Sequence, residues 1–86
     1  MMASNKDIKF YKGVLIELIR AQMSEDGLEV SHDEIDGLLK YRAGLFEVSC
    51  KDMTHEQMQD LKEWSKQFAA SIGVNIKDQE ELNQNL

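Results

Sequence analysis

Apolar residues recur at helical spacing in three stretches of the chain, and polar runs separate them. The best marked stretch is residues 54–73, THEQMQDLKEWSKQFAASIG. Met58, Leu61, Phe68 and Ile72 fall on one face, with the small Ser65 between them. Trp64 and Ala69 widen that stripe to the width a core-facing helix needs, so Trp64 and Phe68 are expected in the core. Asp60, Lys62, Glu63, Lys66 and Gln67 form the expected outer face. Thr54 is a good N-cap, and Gln57 three residues on completes a capping box. Met53 and Met58 occupy the two positions of a hydrophobic staple. Glu56 suits the positive end of the helix dipole. Gly73 follows the last apolar residue and can take the left-handed conformation that ends helices.

The first helix is expected over residues 6–23, where Ile8, Tyr11, Leu15, Leu18 and Ala21 repeat, flanked by Val14 and Ile19. Gly13 weakens it and would let another backbone approach closely. Asp26-Gly27 marks a turn within the connection 24–30. Ser31 opens the second helix with a capping box to Glu34, and Val30 with Ile35 forms a staple. Its expected buried face is Ile35, Leu38 and Leu39, and Gly44 is its stop. Residues 45–50, LFEVSC, are rich in strand formers and read as a short extended segment, which Val74 and Ile76 could pair with. The expected fold is mainly α: a small three-helix domain with a short extended segment between helices 2 and 3. Residues 1–5 and 78–86 are expected to be loose termini of this single domain, the last carrying at most a marginal helical turn.

Size and charge narrow the picture. The chain has 86 residues, enough for one domain with a thin core that a second copy or a partner would help to bury. Its single cysteine, Cys50, excludes an internal disulfide and suits a reducing compartment. No run approaches the ~20 apolar residues that span a bilayer, and the start MMASNKDIKF shows no leader pattern. A cytoplasmic protein is expected, in the host cytoplasm if phage-encoded, with no membrane contact. A net charge of −6 argues against a dedicated nucleic-acid binder. The charge is unevenly spread. Lys6, Lys9, Lys12 and Arg20 face only Asp7 and Glu17 within residues 1–23. Residues 24–36 carry Glu25, Asp26, Glu29, Asp33, Glu34 and Asp36 with no Lys or Arg.

No catalytic or metal constellation emerges. His32 and His55 lie on different helices without ligand spacing and read as exposed first-turn residues. Asp33, Glu34 and Asp36 are explained by capping and solvation rather than by acid–base chemistry. SEDGLEVSHDE lacks the donor order of a calcium loop, and no glycine loop for phosphate is present. Cys50 has no base beside it and reads as a buried, inert thiol. No cofactor is expected, and a small enzyme subunit ranks last among the readings.

Residues 49–78, SCKDMTHEQMQDLKEWSKQFAASIGVNIKD, resemble the C-terminal part of the phage NinB/Orf family of recombination mediators. Ser49 and Met53 match that family's pattern, Cys50 stands for its threonine, and Gln57-Met58 stand for an acidic-aromatic pair. Glu63, Phe68, Gly73-Val74 and Asp78 match without a gap. In the first helix Ser4 and Phe10-Tyr11 fit, Asp7 and Ile8 replace a Gln-Asn pair, and Lys12 replaces a tryptophan. The family's N-terminal β-rich region has no counterpart here. The resemblance implies a non-enzymatic protein that helps load recombinase on single-stranded DNA, as a homodimer contacting single-strand-binding protein and DNA.

Two functions are therefore expected. One is a phage accessory protein of recombination or replication, acting by protein–protein contact with a single-strand-binding protein or recombinase. Lys6, Lys9, Lys12 and Arg20 would be its contact to nucleic acid or to an acidic partner, direct DNA binding being left open. The other is a small acidic inhibitor that mimics DNA. It would set Glu25, Asp26, Glu29, Asp33, Glu34 and Asp36 in the basic site of a host nuclease or defence complex.

Overall fold

The computed structural model describes residues 1–74. Ser4 starts the first helical run by accepting the Asp7 N–H on its side chain at 3.1 Å. The run passes without a break through α1 (Asn5–Phe10), a π turn (Tyr11–Leu15) and α2 (Ile16–Glu25). The π turn changes which face is buried. A wider turn absorbs about one extra residue, so the inward face moves on by one position after it. Tyr11 and Leu15 are buried as expected, but Ile16 and Ile19 then follow. Leu18 is only half-buried, and Ala21 is exposed. No other part of the described chain comes within 4 Å of a Cβ placed on Gly13, so no other helix of this chain uses that glycine for a close approach.

Gly27 has φ +86° and closes α2. Its N–H donates to the Ser24 carbonyl at 3.1 Å, and the Leu28 N–H reaches the Met23 carbonyl at 2.8 Å. This pair of bonds satisfies carbonyls left open at a helix end. α3 (His32–Arg42) then opens on the expected capping box between Ser31 and Glu34. Ile35 and Leu39 are buried. Leu38, expected beside them, is 37% exposed, because it lies at the margin of the buried helix face. Gly44, at φ +74°, ends α3 with the same closure, the Leu45 N–H donating to the Lys40 carbonyl at 2.7 Å.

Residues 45–50 do not form the expected strand. Phe46 and Glu47 make a turn, and a 3-10 turn follows at Cys50–Asp52. Among the described residues no neighbouring strand exists for them to pair with, and a lone strand cannot satisfy its own backbone. Leu45 and Cys50 instead turn into the core. Val74 packs against the core rather than pairing with this segment; Ile76 and the tail 78–86 lie outside the described residues.

α4 (His55–Ser71) begins at Thr54 with its capping box to Gln57, and Met53 and Met58 are both fully buried. Residues 1–5, expected to be loose, are bonded to this entry. The Ala3 N–H donates to the Met53 carbonyl at 3.0 Å, and the His55 N–H donates to the Met1 carbonyl at 2.7 Å. α4 buries Met58, Leu61, Ser65 and Ala69 against α2, α3 and the π turn. The Ser65 hydroxyl is satisfied by the Leu61 carbonyl at 2.7 Å.

The two edges of α4 reverse the expected assignments. Lys62, expected on the outer face, is only 8% exposed. Its ammonium lies 5.3 Å from the Phe10 ring centroid and 3.2 Å from Asp7 Oδ1, so its stem covers apolar surface while its charge is paired. Trp64, expected in the core, is 42% exposed on the opposite edge. The result is the expected mainly helical three-helix domain, with turns in place of the extended segment.

Candidate protein-interaction face

The exposed edge of α4 meets the last turn of α3. Arg42 projects from α3 and sets its guanidinium carbon 5.8 Å from the centre of the Phe68 ring, within reach of a cation–π contact. Trp64 stands one helical turn before Phe68. With Gln67 and Ser71 these residues line a groove of about 230 Å³. Sites for small organic molecules usually enclose about 300–1,000 Å³, so this groove suits an inserted side chain better.

More apolar surface lies at the end of α3 and in the turn after it. Tyr41 is 72% and Phe46 61% exposed, and their rings meet edge to face at 6.3 Å. Leu38 sits one turn before Arg42 and is also exposed. Exposed aromatic side chains beside an arginine have the composition of an interface anchor. Sequence reasoning missed this face by placing Trp64 and Leu38 inside. The available signal was the position of Trp64 at the margin of its stripe and the i, i+4 spacing of Leu38 and Arg42.

The lysine-bearing helix is partly as expected. Lys6, Lys9 and Lys12 are exposed along α1 and the π turn. Arg20 is exposed too, but its guanidinium is held by Glu17 at 3.0 Å. Among the acidic residues, Glu25, Asp26, Glu29, Asp33 and Glu34 are exposed around the α2–α3 turn. Asp36 does not belong with them. It is half-buried, accepts the Tyr11 hydroxyl at 2.7 Å and pairs with Lys40 at 2.9 Å. Burial, then the bond to Asp36 and the charge of that carboxylate, push the Tyr11 hydroxyl pKa far above its ordinary value, so it stays protonated and donates to that carboxylate. Lys40 is itself buried.

His32 is not a free first-turn residue. Its Nε2 lies 3.1 Å from the Lys12 carbonyl, so Nε2 carries the proton and donates, linking α3 to the π turn. Its Nδ1 is 3.9 Å from Asp33. His55 is exposed. Cys50 is buried, and burial together with the charge of Asp36 raises its pKa against the opposing charge of Lys40. It is a thiol rather than a thiolate, and so a poor nucleophile. Among the described residues no three His, Cys, Asp or Glu side chains are placed to hold a metal ion. Among the same residues no helix is long and apolar enough to cross a membrane.

Compared with protein-family models, curated proteins and solved structures, the chain matches none. The groove, the lysine row and the acidic turn therefore carry the functional argument by their own chemistry.

Proposed function

We propose that this chain is a non-enzymatic accessory protein of phage DNA recombination or replication that works by protein–protein contact. Its partner is a single-strand-binding protein or a recombinase. The carrying observation is the Arg42–Trp64–Phe68 groove, an aromatic slot with one cation at its wall. Such a slot fits a protein segment that inserts an apolar side chain and sets a carboxylate against Arg42. Phe68, one of the residues on which the family resemblance rests, forms part of that wall. Lys6, Lys9 and Lys12 offer a second, weaker contact for an acidic partner or for nucleic acid.

Titration calorimetry against purified single-strand-binding protein and recombinase tests this. Trp64→Ala should weaken binding by about 2 kcal/mol, the scale of an interface anchor. Binding equal to wild type would remove the groove from the contact. Loss only in the Lys9→Glu, Lys12→Glu variant would assign the contact to the first helix instead.

The exposed carboxylates of Glu25, Asp26, Glu29, Asp33 and Glu34 favour a second reading, a DNA-mimicking inhibitor of a host nuclease or defence complex. Asp36 has no part in it, because it is committed to Tyr11 and Lys40. Reversing Glu25, Asp26, Glu29 and Asp33, and leaving Glu34 in its capping box, should abolish inhibition of such a nuclease, whereas Trp64→Ala should leave inhibition intact.

A further inference from the structure

The α2–α3 turn presents the chemistry that the groove calls for. Leu28 is 56% exposed at its crest. The left-handed Gly27 and the bond from the Leu28 N–H to the Met23 carbonyl hold that crest in place, so presenting the side chain costs little ordering. Glu25, Asp26 and Glu29 flank it, all exposed. The groove offers aromatic walls, room for one side chain and the Arg42 guanidinium. No residue of the turn lines the groove of its own chain, and α3, about 16 Å long, lies between them.

We propose that the groove of one copy takes Leu28 of a second copy, with the flanking carboxylates against Arg42. This deepens the docking role given above to the groove, and rests on it: self-association covers the groove and competes with the outside partner. The turn and the groove are different surfaces at opposite ends of α3, so the contact is either reciprocal, each copy's turn filling the other's groove, or one-way. A reciprocal pairing closes at a dimer, whereas a one-way pairing leaves one turn and one groove free and continues beyond it.

Sedimentation equilibrium of the full chain, up to millimolar concentration, tests the idea with four samples: wild type, Leu28→Glu, Trp64→Ala, and an equimolar mixture of the two variants. The wild-type average mass should rise with concentration to that of a dimer if the pairing is reciprocal, and past it if it is one-way. Each variant alone should remain a monomer. The mixture should form a heterodimer and stop there, since one intact turn and one intact groove remain. Arg42→Glu serves as a second groove variant, with helix content by circular dichroism as the control for folding.

A wild type that stays monomeric overturns the proposal. So does a mixture that stays monomeric while the wild type associates, which would mark a symmetric patch spoiled by either change. Calorimetry with the outside partner separates this result from the function proposed above. Leu28→Glu leaves the groove open and should bind that partner at least as well as wild type. Full partner binding by a wild type that never self-associates would sink the turn-to-groove contact alone. Self-association by a protein that binds no outside partner would sink only the mediator reading.

Discussion

Asp7 ties the start of the first helix to α4 through Lys62 Nζ at 3.2 Å and Gln59 Nε2 at 3.3 Å. Partial burial alone would raise its pKa, but hydrogen bonds from Lys62 and Ser4 and the charge of Lys62 outweigh that and hold it below 3.8. A carboxylate depressed in the folded state stabilises the fold fully above its unfolded value of 3.8. That contribution is lost as the pH falls through the folded value. Asp7→Asn should therefore cost about 1–2 kcal/mol near neutral pH, and the gap to wild type should close in acid, as read by urea unfolding across pH. Tyr11→Phe keeps the ring and deletes the donor to Asp36. It should cost about 1–2 kcal/mol in the same assay, because a half-buried carboxylate loses a partner.

The helices carry matched start and stop devices. Ser31 and Thr54 each close a capping box, and the closures after α2, α3 and α4 each place a glycine just past the last helical turn. Thr54→Ala removes the acceptor for the Gln57 N–H at a junction that also anchors the bonded N-terminal residues. A loss of about 1–2 kcal/mol is expected, at the upper end for caps, with faster amide exchange over residues 1–5. Gly13→Ala tests the π turn in the opposite direction. The position is exposed and open, with no steric conflict from outside the helix. Alanine should stabilise the run by up to about 1 kcal/mol, measured as a rise in Tm. These devices were legible in the sequence, because a cap and its partner lie only three residues apart. The π turn was not, because nothing within residues 11–15 departs from ordinary helical spacing.

At the scale of the molecule, α4 has two unlike edges. One is sealed by Lys62 over Phe10, and the other is left open at Trp64. A side chain at an exposed edge contributes less than a core one, so Trp64→Ala should lower the free energy of unfolding, read from urea titration, by less than about 1 kcal/mol. A protein-interaction role predicts a much larger loss in partner binding than in stability from that change. The sole tryptophan also makes the groove observable. Its emission should shift to shorter wavelength when a partner lacking tryptophan fills the groove, and Leu28→Glu should leave that shift in place.

The sequence by itself determined the helical class, the caps, the stops and most of the inner stripe, because periodicity and capping act over a few residues. It also placed Lys6, Lys9 and Lys12 and most of the acidic cluster on the surface, since unpaired charge rarely leaves water. Tertiary structure decided the rest. Whether Lys62 or Trp64 lies at a covered edge depends on where α1 and α3 pass, and whether Asp36 is free depends on Tyr11 and Lys40 meeting it. Residues 45–50 follow the same logic: a strand needs a neighbour, and only the packing of the helices left none among the described residues. The groove is the plainest case, since Arg42 and Phe68 come together only when α3 is laid against α4.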